Sequence, residues 1–327
     1  MSENNQEPSG HSVVDDSDFS IEKKLDFSGK SYSQGELVRR RFFRHRAAMV
    51  SLAVLVFVTL LAFTSIGVGP IPGWWGKSYL NSSSVINAGR PTLTLWPFAI
   101  GENPFGQDNV GKDYFALVMR GTQRSLTVAF TVGILSTLIG TAVGAAAGYF
   151  RGWTEAILMR LTDLFIVIPL LVLAAVVAKA AGGTVWGMAL VLGFLVWTGL
   201  ARLVRGEVLS LREREFVTAA EAIGASSGRI LMKHILPNTI GTIIVSATLT
   251  IATAILLESA LSFLGYGIQA PDTSLGQLIS TYQTSFLSRP WLFWWPGMFI
   301  LVIALTVNFL GDGLRDAFDP RQSRGED

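Results

Sequence analysis

Long apolar runs separated by polar segments predict six membrane-spanning helices in this chain. Each run is close to the roughly 20 residues that a helix needs to cross about 30 Å of hydrocarbon. One such run could be the core helix of a soluble protein, but six in one chain predict an all-α integral membrane protein. The runs cover residues 47–68, 125–149, 156–180, 185–204, 239–264 and 293–311.

The segments outside these runs predict how the chain is divided. Residues 1–32 are polar with few aromatic side chains, which predicts a disordered cytoplasmic tail. This polar start is too long for a signal peptide. Residues 33–68 predict an amphipathic helix, capped by Ser33 and Glu36, that leads into the first span. The remaining divisions are a long exterior loop at 69–124, a transmembrane core at 121–314 and a cytoplasmic C-terminal tail at 315–327.

Clustered basic residues predict the orientation of the spans, although the net charge is only +2. Positive residues collect in cytoplasmic segments, and two basic clusters stand four spans apart, before the first span and in the loop 205–238. Both clusters therefore predict the same side, with both termini cytoplasmic. Arg120 and Arg124 lie at the outer end of the second span, but residues of long loops escape the rule. The first cluster consists of Arg39, Arg40, Arg41, Arg44 and Arg46.

The first basic cluster has two interpretations. Arginines beside Phe42 and Phe43 also fit nucleic-acid binding, but their position just before an apolar run favours a helix on the cytoplasmic membrane surface. The small net charge gives no support to nucleic acid as a partner. We therefore expect this helix to contact membrane lipid.

Residues that carry chemistry in enzymes are scarce in this sequence. The chain has no cysteine, and its three histidines, His11, His45 and His234, lie far apart, which argues against a zinc site. The phosphate-binding pattern Gly-x-x-x-x-Gly-Lys-Ser/Thr does not occur in it. We expect a non-catalytic chain without a cofactor of its own, driven by an energy source on another polypeptide.

Residues 215–238 form the most distinctive polar segment and predict a helix, a turn and a second helix. Good helix formers predict the first helix, and Gly224 is placed to end it in a left-handed conformation. Ser226 or Ser227 is predicted to cap the second helix, which Pro237 is predicted to end. The tip is rich in small residues that allow another protein's backbone to approach, namely Ala219, Ala220, Gly224, Ala225 and Ser226.

This segment resembles the EAA loop of bacterial ABC importer permeases, in which Glu-Ala-Ala is followed by a spaced glycine and an apolar-x-Leu-Pro ending. Thr218 stands where the family usually has glutamate, and His234 stands where isoleucine is usual. In the family, this loop is the coupling helix that docks into a cleft on the ATP-binding subunit. The resemblance implies a coupling site made of Thr218, Ala219, Ala220, Gly224, Ala225, Ser226, Leu236 and Pro237.

A second motif, near the end of the exterior loop, resembles the dipeptide and oligopeptide permeases. Their Asp-x-x-Gly-Arg-Asp pattern corresponds to Asp108, Gly111, Lys112 and Asp113, with lysine replacing arginine. In the family, this loop lies against the exterior face and meets the substrate-binding protein. From the residues alone, glycine turns and paired charges also fit a well-folded cap.

A third motif, at the end of the fifth span, resembles the same branch, which reads Glu-x-x-Leu-Ser-Phe-Leu-Gly-x-Gly. Glu258 and Ser262 belong to it, and Leu275 replaces the tryptophan that usually precedes Gly276. These two polar residues are expected either to pair with a partner subunit or to line the pathway, where Glu258 would meet a substrate amino group. The structural pairing is the preferred interpretation.

A further carboxylate, Asp163, lies close to the cytoplasmic end of the third span. We expect it to pair with Arg160 or Arg151 at the membrane interface. A proton relay is the alternative, but intramembrane carboxylates are functional by default only deeper in the bilayer.

The three motifs together identify the chain as similar to the C-type permease subunit of a dipeptide or oligopeptide ABC importer. The resemblance implies a type I ABC importer permease fold in a bacterial inner membrane, forming half of the translocation pathway. It implies as partners a paralogous B-type permease, two ATP-binding subunits that hold ATP and Mg, and an extracytoplasmic substrate-binding protein.

Two alternatives stay open at the level of sequence. Permeases of the same architecture import nickel, haem or glutathione, and the permease sequence does not decide between these substrates and peptides. A secondary transporter would carry its own coupling-ion site, with midplane carboxylates and broken helices in both halves, and neither feature is convincing here.

Overall fold

The computed structural model describes residues 34–319, and most of these residues are helical. The tail predicted at 1–32, the capping residue Ser33 and residues 320–327 lie outside the described part. The helices and strands in chain order are α1 (Gln34–Arg44), α2 (Arg46–Ser65), β1 (Gly67–Val68), β2 (Ile71–Pro72), β3 (Thr94–Leu95), β4 (Phe98–Ala99), α3 (Tyr114–Phe150), α4 (Gly152–Val167), α5 (Leu170–Ala180), α6 (Val185–Gly193), α7 (Thr198–Arg212), α8 (Glu215–Ala222), α9 (Ser227–Ile230), α10 (Leu236–Phe263), α11 (Leu275–Tyr282) and α12 (Trp291–Phe318).

All six predicted apolar runs form helices. Within residues 34–319, five helical segments are long and apolar enough to cross a membrane, and a bent pair of helices supplies a sixth. The basic helix predicted before the first span is α1. The five segments are α2, α3, α6 with α7, α9 with α10, and α12, and the bent pair is α4 with α5.

The third predicted span is not one straight helix, which corrects the sequence-based expectation. Helices α4 and α5 meet at a bend of 90°, where Ile168 is extended with ψ 128° and Pro169 follows. Proline lacks an N–H group and disfavours helical backbone in the residue before it, so the run divides at this point. Helix α4 consequently lies beside α7, while α5 packs on α6 and α10.

Helices α3 and α12 are longer than predicted. Helix α3 begins at Tyr114, so the irregular exterior segment ends at residue 113 and not at 124. Asp113 caps this helix, because its carboxylate accepts a hydrogen bond from the Ala116 N–H at 2.8 Å. Helix α12 continues to Phe318, so the first residues of the predicted C-terminal tail are helical.

Polar side chains in the first turns of α3 have partners inside the chain. Arg120 Nε and Arg124 Nε lie 2.7 and 2.8 Å from the two carboxylate oxygens of Asp272. The Gln123 amide donates to the Ala62 carbonyl at 2.8 Å. The two arginines stand at the predicted outer end of a span, and the ion pairs with Asp272 neutralise their charge within the chain.

Helix α3 is the central helix of the fold, and glycines let α7 approach it closely. A Cβ atom added at Gly144 would lie 2.4 Å from the Ala201 carbonyl oxygen, and one at Gly140 would lie 2.9 Å from that of Trp197. Small residues at such contacts are what bring helices together in membranes. The packing therefore fixes α7, and with it the start of segment 215–238, against the C-terminal half of α3.

The segment between α2 and α3 contains two short antiparallel hairpins. In β1–β2, Val68 pairs with Ile71, and in β3–β4, Thr94 pairs with Ala99. Hydrogen bonds also join this segment to Asp113 at the start of α3, to Tyr282 at the end of α11 and to Arg289 just before α12.

Candidate functional site

Segment 215–238 folds, as predicted, into a helix that ends in a glycine turn. Gly224 has φ +82°. The N–H groups of Gly224 and Ala225 donate to the carbonyls of Glu221 and Ala220 at 2.9 and 3.0 Å. This pair of bonds is the Schellman motif that ends a helix at a left-handed glycine. A Cβ atom at Gly224 would have none of the described atoms beyond its chain neighbours within 4 Å, so the turn is open.

The two faces of α8 have different environments. Val217 and Ala220 are 1% and 7% exposed and pack in a hydrophobic cluster with α7 and α9. Ala220 was predicted at the exposed tip, and this is wrong because residues three apart share one helical face. Phe216, Ala219 and Ile223 are exposed on the other side, with Ile223 exposed by 86%.

Phe216 and Ile223 are exposed apolar residues of this segment and candidate site residues that the sequence interpretation missed. They lie three residues before and four residues after Ala219, which is the spacing of a single helical face. An exposed apolar face of this kind is typical of a contact surface for another protein. The other predicted coupling residues divide between exposed Thr218, Ser226 and Pro237 and half-buried Ala225 and Leu236.

The second helix of the segment differs from the prediction. Ser226 occupies the N-cap position, but its side chain accepts no capping hydrogen bond. Pro237 does not end the helix, because a π-helical turn at Leu231–Ile235 precedes it and the helix continues as α10. The wide turn accommodates a residue without an N–H group near the start of α10. Helix α9 and α10 therefore form one continuous rod from the glycine turn into the fifth span.

Asp163 forms an ion pair with a residue that was not predicted. Its carboxylate lies 2.5 Å from the guanidinium of Arg202 on α7. The predicted partners Arg160 and Arg151 are therefore wrong. The bend at Pro169 explains the difference, because it places α4 beside α7. Asp163 can therefore reach an arginine of α7 and need not pair with an arginine near it in sequence.

Two more ion pairs join the same two helices. Arg205 on α7 donates to the Glu155 carboxylate at 2.8 Å. Arg151, just before α4, lies 2.5 Å from Glu213, just after α7. Three ion pairs thus connect α4 with α7, the helix that leads into segment 215–238.

The motif at 108–113 forms a turn that is bonded to α11 and to the turn before α12. The Asp108 carboxylate accepts hydrogen bonds from the N–H groups of Val110 and Lys112 at 2.9 and 2.7 Å, and from the Tyr282 hydroxyl at 2.8 Å. Arg289 donates to the Asp108 carbonyl at 2.8 Å. Burial and the neighbouring Asp108 charge raise the pKa of Tyr282 well above its usual value.

The other two motif residues are also fixed inside the chain. Gly111 has φ +82°, and an added Cβ atom would lie 1.8 Å from the Ser83 carbonyl oxygen, so only glycine fits. The Asp113 carboxylate accepts from the Trp75 indole N–H at 3.0 Å as well as capping α3. Burial raises the pKa of Asp113, although these hydrogen bonds and Lys77 oppose the shift. The motif therefore ties the segment between α2 and α3 to α3, to α11 and to the turn before α12.

Glu258 lies in neither of its two predicted settings. Its side chain is 0% exposed within this single chain, so it faces no pathway and no partner subunit. Ser125 on α3 donates to one carboxylate oxygen at 2.9 Å, and Ser262 donates to the other at 2.7 Å. Ser262, also 0% exposed, is likewise internal. The pair forms the centre of a buried hydrogen-bond network, which the sequence did not predict.

The network begins at the first turn of α11. The Leu275 N–H donates to Ser125 at 3.3 Å, the Gln277 N–H donates to Ser274 at 3.2 Å, and Ser274 donates to Ser262 at 3.1 Å. These contacts link the Glu258 carboxyl group to α11 through Ser125, Ser262 and Ser274. The carboxyl group therefore fastens α11 to α3 and α10.

Glycines close to this network explain the remaining residues of the third motif. A Cβ atom at Gly267 would lie 1.8 Å from the Ser262 hydroxyl oxygen, and one at Gly276 would lie 2.4 Å from the Ser259 carbonyl oxygen. Both glycines allow the chain to pass directly over α10. The motif is thus a packing unit that seats α11.

Comparison with known families gives two matches along the chain. Residues 140–324 match the binding-protein-dependent transport system inner membrane component family. Residues 33–72 match the N-terminal TM domain of oligopeptide transport permease C. The first match covers more than half of the chain and includes segment 215–238 and Glu258.

Relatives are similar over most of their length. The oligopeptide transport system permease protein OppC of Mycobacterium tuberculosis is 39% identical over 292 residues, which are 88% of this chain and 95% of the relative. A putative peptide permease of Brucella ovis is 38% identical over 88% of this chain and 92% of the relative. OppC of Haemophilus influenzae is 34% identical over 91% of this chain and 92% of the relative.

A solved structure has the same fold. The MetNI methionine ABC transporter, in an inward-facing conformation, aligns with a TM-score of 0.52 at 20% identity, covering 62% of this chain and 96% of that chain. At this identity the likeness concerns the fold alone, which is that of an ABC importer permease. Sequence and fold agree, and the chain belongs to the family of binding-protein-dependent transport system inner membrane components.

Proposed function

We propose that this chain is the C-type permease subunit of an ATP-driven ABC importer for dipeptides or oligopeptides. The observation that carries the proposal is the similarity, nearly from end to end, to permeases that are named for oligopeptide transport. The chain forms half of the translocation pathway, and a paralogous B-type permease forms the other half.

Uncovered apolar surface supports a second permease as a partner. Helix α4 has a single buried residue, Thr162, while Trp153, Leu164 and Val167 are 86%, 66% and 81% exposed. Lipid covers part of such a surface. Because α4 packs so little on its own chain, a second subunit is the partner that would bury the rest of it.

Polar groups beside the helix bend support a pathway next to α4. A cavity of about 630 Å³ lies at Pro169, and hydroxyl-bearing residues such as Thr198, Ser246 and Thr250 line it together with apolar side chains. Hydroxyl groups can form hydrogen bonds with a transported peptide and replace those that the peptide makes with water. We assign this cavity to the chain's half of the translocation pathway.

The exposed apolar face of α8 is the surface that we assign to an ATP-binding subunit. Phe216, Ala219 and Ile223 supply the contact. Movement at this face reaches the spans because α8 packs on α7 through Val217 and Ala220. It also reaches the fifth span because α9 continues into α10. Two ATP-binding subunits hold ATP and Mg, and this chain is non-catalytic without a cofactor.

Contacts between the two ends of the described chain support the proposed orientation. Arg41 on α1 donates to the Asp319 carbonyl at 3.1 Å, and His45 lies 3.3 Å from the Asp316 carboxylate in the last turn of α12. Both ends therefore lie on one side, which the basic residues of α1 assign to the cytoplasm of a bacterial cell. The segment after α2 then faces the exterior and the substrate-binding protein.

The test is substrate-stimulated ATP hydrolysis by the complete transporter. The complex is co-purified through this chain, placed in lipid nanodiscs with its binding protein, and supplied with dipeptides, longer peptides, nickel, haem or glutathione. We expect peptides to increase the rate of hydrolysis. Stimulation only by nickel, haem or glutathione would contradict the peptide assignment, and a chain that co-purifies with no ATP-binding subunit would contradict the importer assignment.

A further inference from the structure

Lys179 is the single charged residue of α5, whose sequence is otherwise apolar. Its side chain is exposed. Across residues 34–319, no carboxylate lies within ion-pair distance of its ammonium group, and no hydrogen bond engages it. A lysine ammonium is strongly hydrated. On an apolar helix, it therefore needs water or a ligand to supply hydrogen-bond acceptors.

Two neighbouring cavities meet at this lysine. The first, of about 620 Å³, has apolar walls that include Leu171, Val176 and Leu264, together with Tyr266. The second, of about 380 Å³, lies between the turn after α5 and the turn after α10, and Lys179 lines it as well. Cavities of about 300–1,000 Å³ with apolar walls and few polar groups are typical of small-molecule sites.

The position of Lys179 is unusual for the proposed orientation. It stands at the exterior end of its span, next to the short connection 181–184, where positive residues are disfavoured. Arg120 and Arg124 occupy comparable exterior ends, but Asp272 neutralises both. Lys179 lacks such a partner among the described residues and faces a cavity instead.

We propose that Lys179 binds the C-terminal carboxylate of the transported peptide, while the apolar wall of the larger cavity receives an adjacent side chain. The proposal rests on the proposed function as a peptide importer. The same chemistry, an anionic oxygen on a lysine, could come from a lipid phosphate, because lysines near the membrane surface extend toward headgroups. A peptide carboxylate fits better, because the lysine lines two cavities of ligand size.

The test compares two peptides of one sequence, one with a free C-terminal carboxylate and one with a C-terminal amide. Uptake into liposomes by the complete transporter is measured with the binding protein saturated by each peptide, and the ratio of acid to amide rates is the readout. In Lys179→Gln this ratio should fall about fivefold from the wild-type ratio, as expected for loss of a partly exposed ion pair. Lys179→Arg should keep the wild-type ratio.

The matched control is Arg39→Gln, which removes an exposed positive charge from α1, on the proposed cytoplasmic side of the membrane. It should leave the ratio unchanged. A wild-type ratio in Lys179→Gln, or an equal loss for both peptides, would overturn the carboxylate subsite and leave peptide transport intact. A deficit that vanishes in liposomes without anionic lipid would assign the lysine to a headgroup and also overturn it. Absence of uptake of either peptide by the wild type would reject the proposed function itself.

Discussion

At the scale of single residues, the buried carboxyl group of Glu258 explains a motif that the sequence interpretation assigned either to pairing with a partner subunit or to the pathway. Its two oxygens accept hydrogen bonds from Ser125 and Ser262, and the network begins at the N–H groups of α11. A glutamate at the end of an apolar run is easily interpreted as a pathway residue. Its partner Ser125 lies far away in sequence, so only the folded chain shows that the carboxyl group is internal.

Replacing Glu258 with Ala should weaken the packing of α11, because it removes both oxygens that Ser125 and Ser262 contact. A buried group left without a partner costs about 1–3 kcal/mol, so the unfolding midpoint of the purified protein in detergent should fall. Ser280→Ala is the control, because the Ser280 hydroxyl makes an exposed hydrogen bond to the Phe263 carbonyl. Equal midpoints for Glu258→Ala and wild type would show that the network contributes no stability.

At the scale of elements, the existence of the helices was predictable, but most of their ends and their bends were not. The apolar runs predicted every span, and Gly224 predicted the end of α8. The start of α3 was missed because Arg120 and Arg124 look exterior until Asp272 is placed beside them. The 90° bend at Pro169 and the π-helical turn before Pro237 depend on what the neighbouring helices accommodate. A proline in the sequence predicts that a helix is interrupted nearby, but it does not determine the angle of the bend or the type of turn.

The exposed face of α8 gives the element-scale prediction. Ile223→Asp places a charge where the proposed ATP-binding subunit would exclude water, and an unpaired desolvated carboxylate costs several kcal/mol. The variant should still insert in the membrane, but the ATP-binding subunit should no longer co-purify with it. Binding-protein-stimulated ATP hydrolysis should be lost as well.

Gly224→Ala is the matched control for this experiment. The positive φ costs about 1 kcal/mol for alanine, and the open space around the turn allows the methyl group, so co-purification should persist. Ala220→Asp is not a suitable probe, because Ala220 is buried and a charge there would disrupt α8 itself. Normal co-purification and stimulation in Ile223→Asp would remove the coupling role from this face.

At the scale of the whole molecule, hydrogen bonds, ion pairs and packing divide the elements into two connected groups. One joins the segment between α2 and α3 to α3, α11 and the turn before α12 through Asp108, Asp113 and the Glu258 network. The other joins α4, α7 and segment 215–238 through three ion pairs and the cluster around Val217. Helix α3 belongs to both, because its C-terminal half packs on α7. A signal from an exterior partner would thus reach the proposed ATPase contact along one helix.

The central claim is that segment 215–238 meets an ATP-binding subunit on the cytoplasmic side, and site-specific cross-linking tests it most directly. The chain has no cysteine, so Ile223→Cys and Leu287→Cys each introduce a single thiol, with Leu287 94% exposed just before α12 on the proposed exterior side. In membranes that contain the complete transporter, a bifunctional thiol-to-amine reagent should link residue 223 to the ATP-binding subunit and residue 287 to no such subunit. The opposite pattern, or labelling of residue 223 by an impermeant reagent added from outside, would contradict the account.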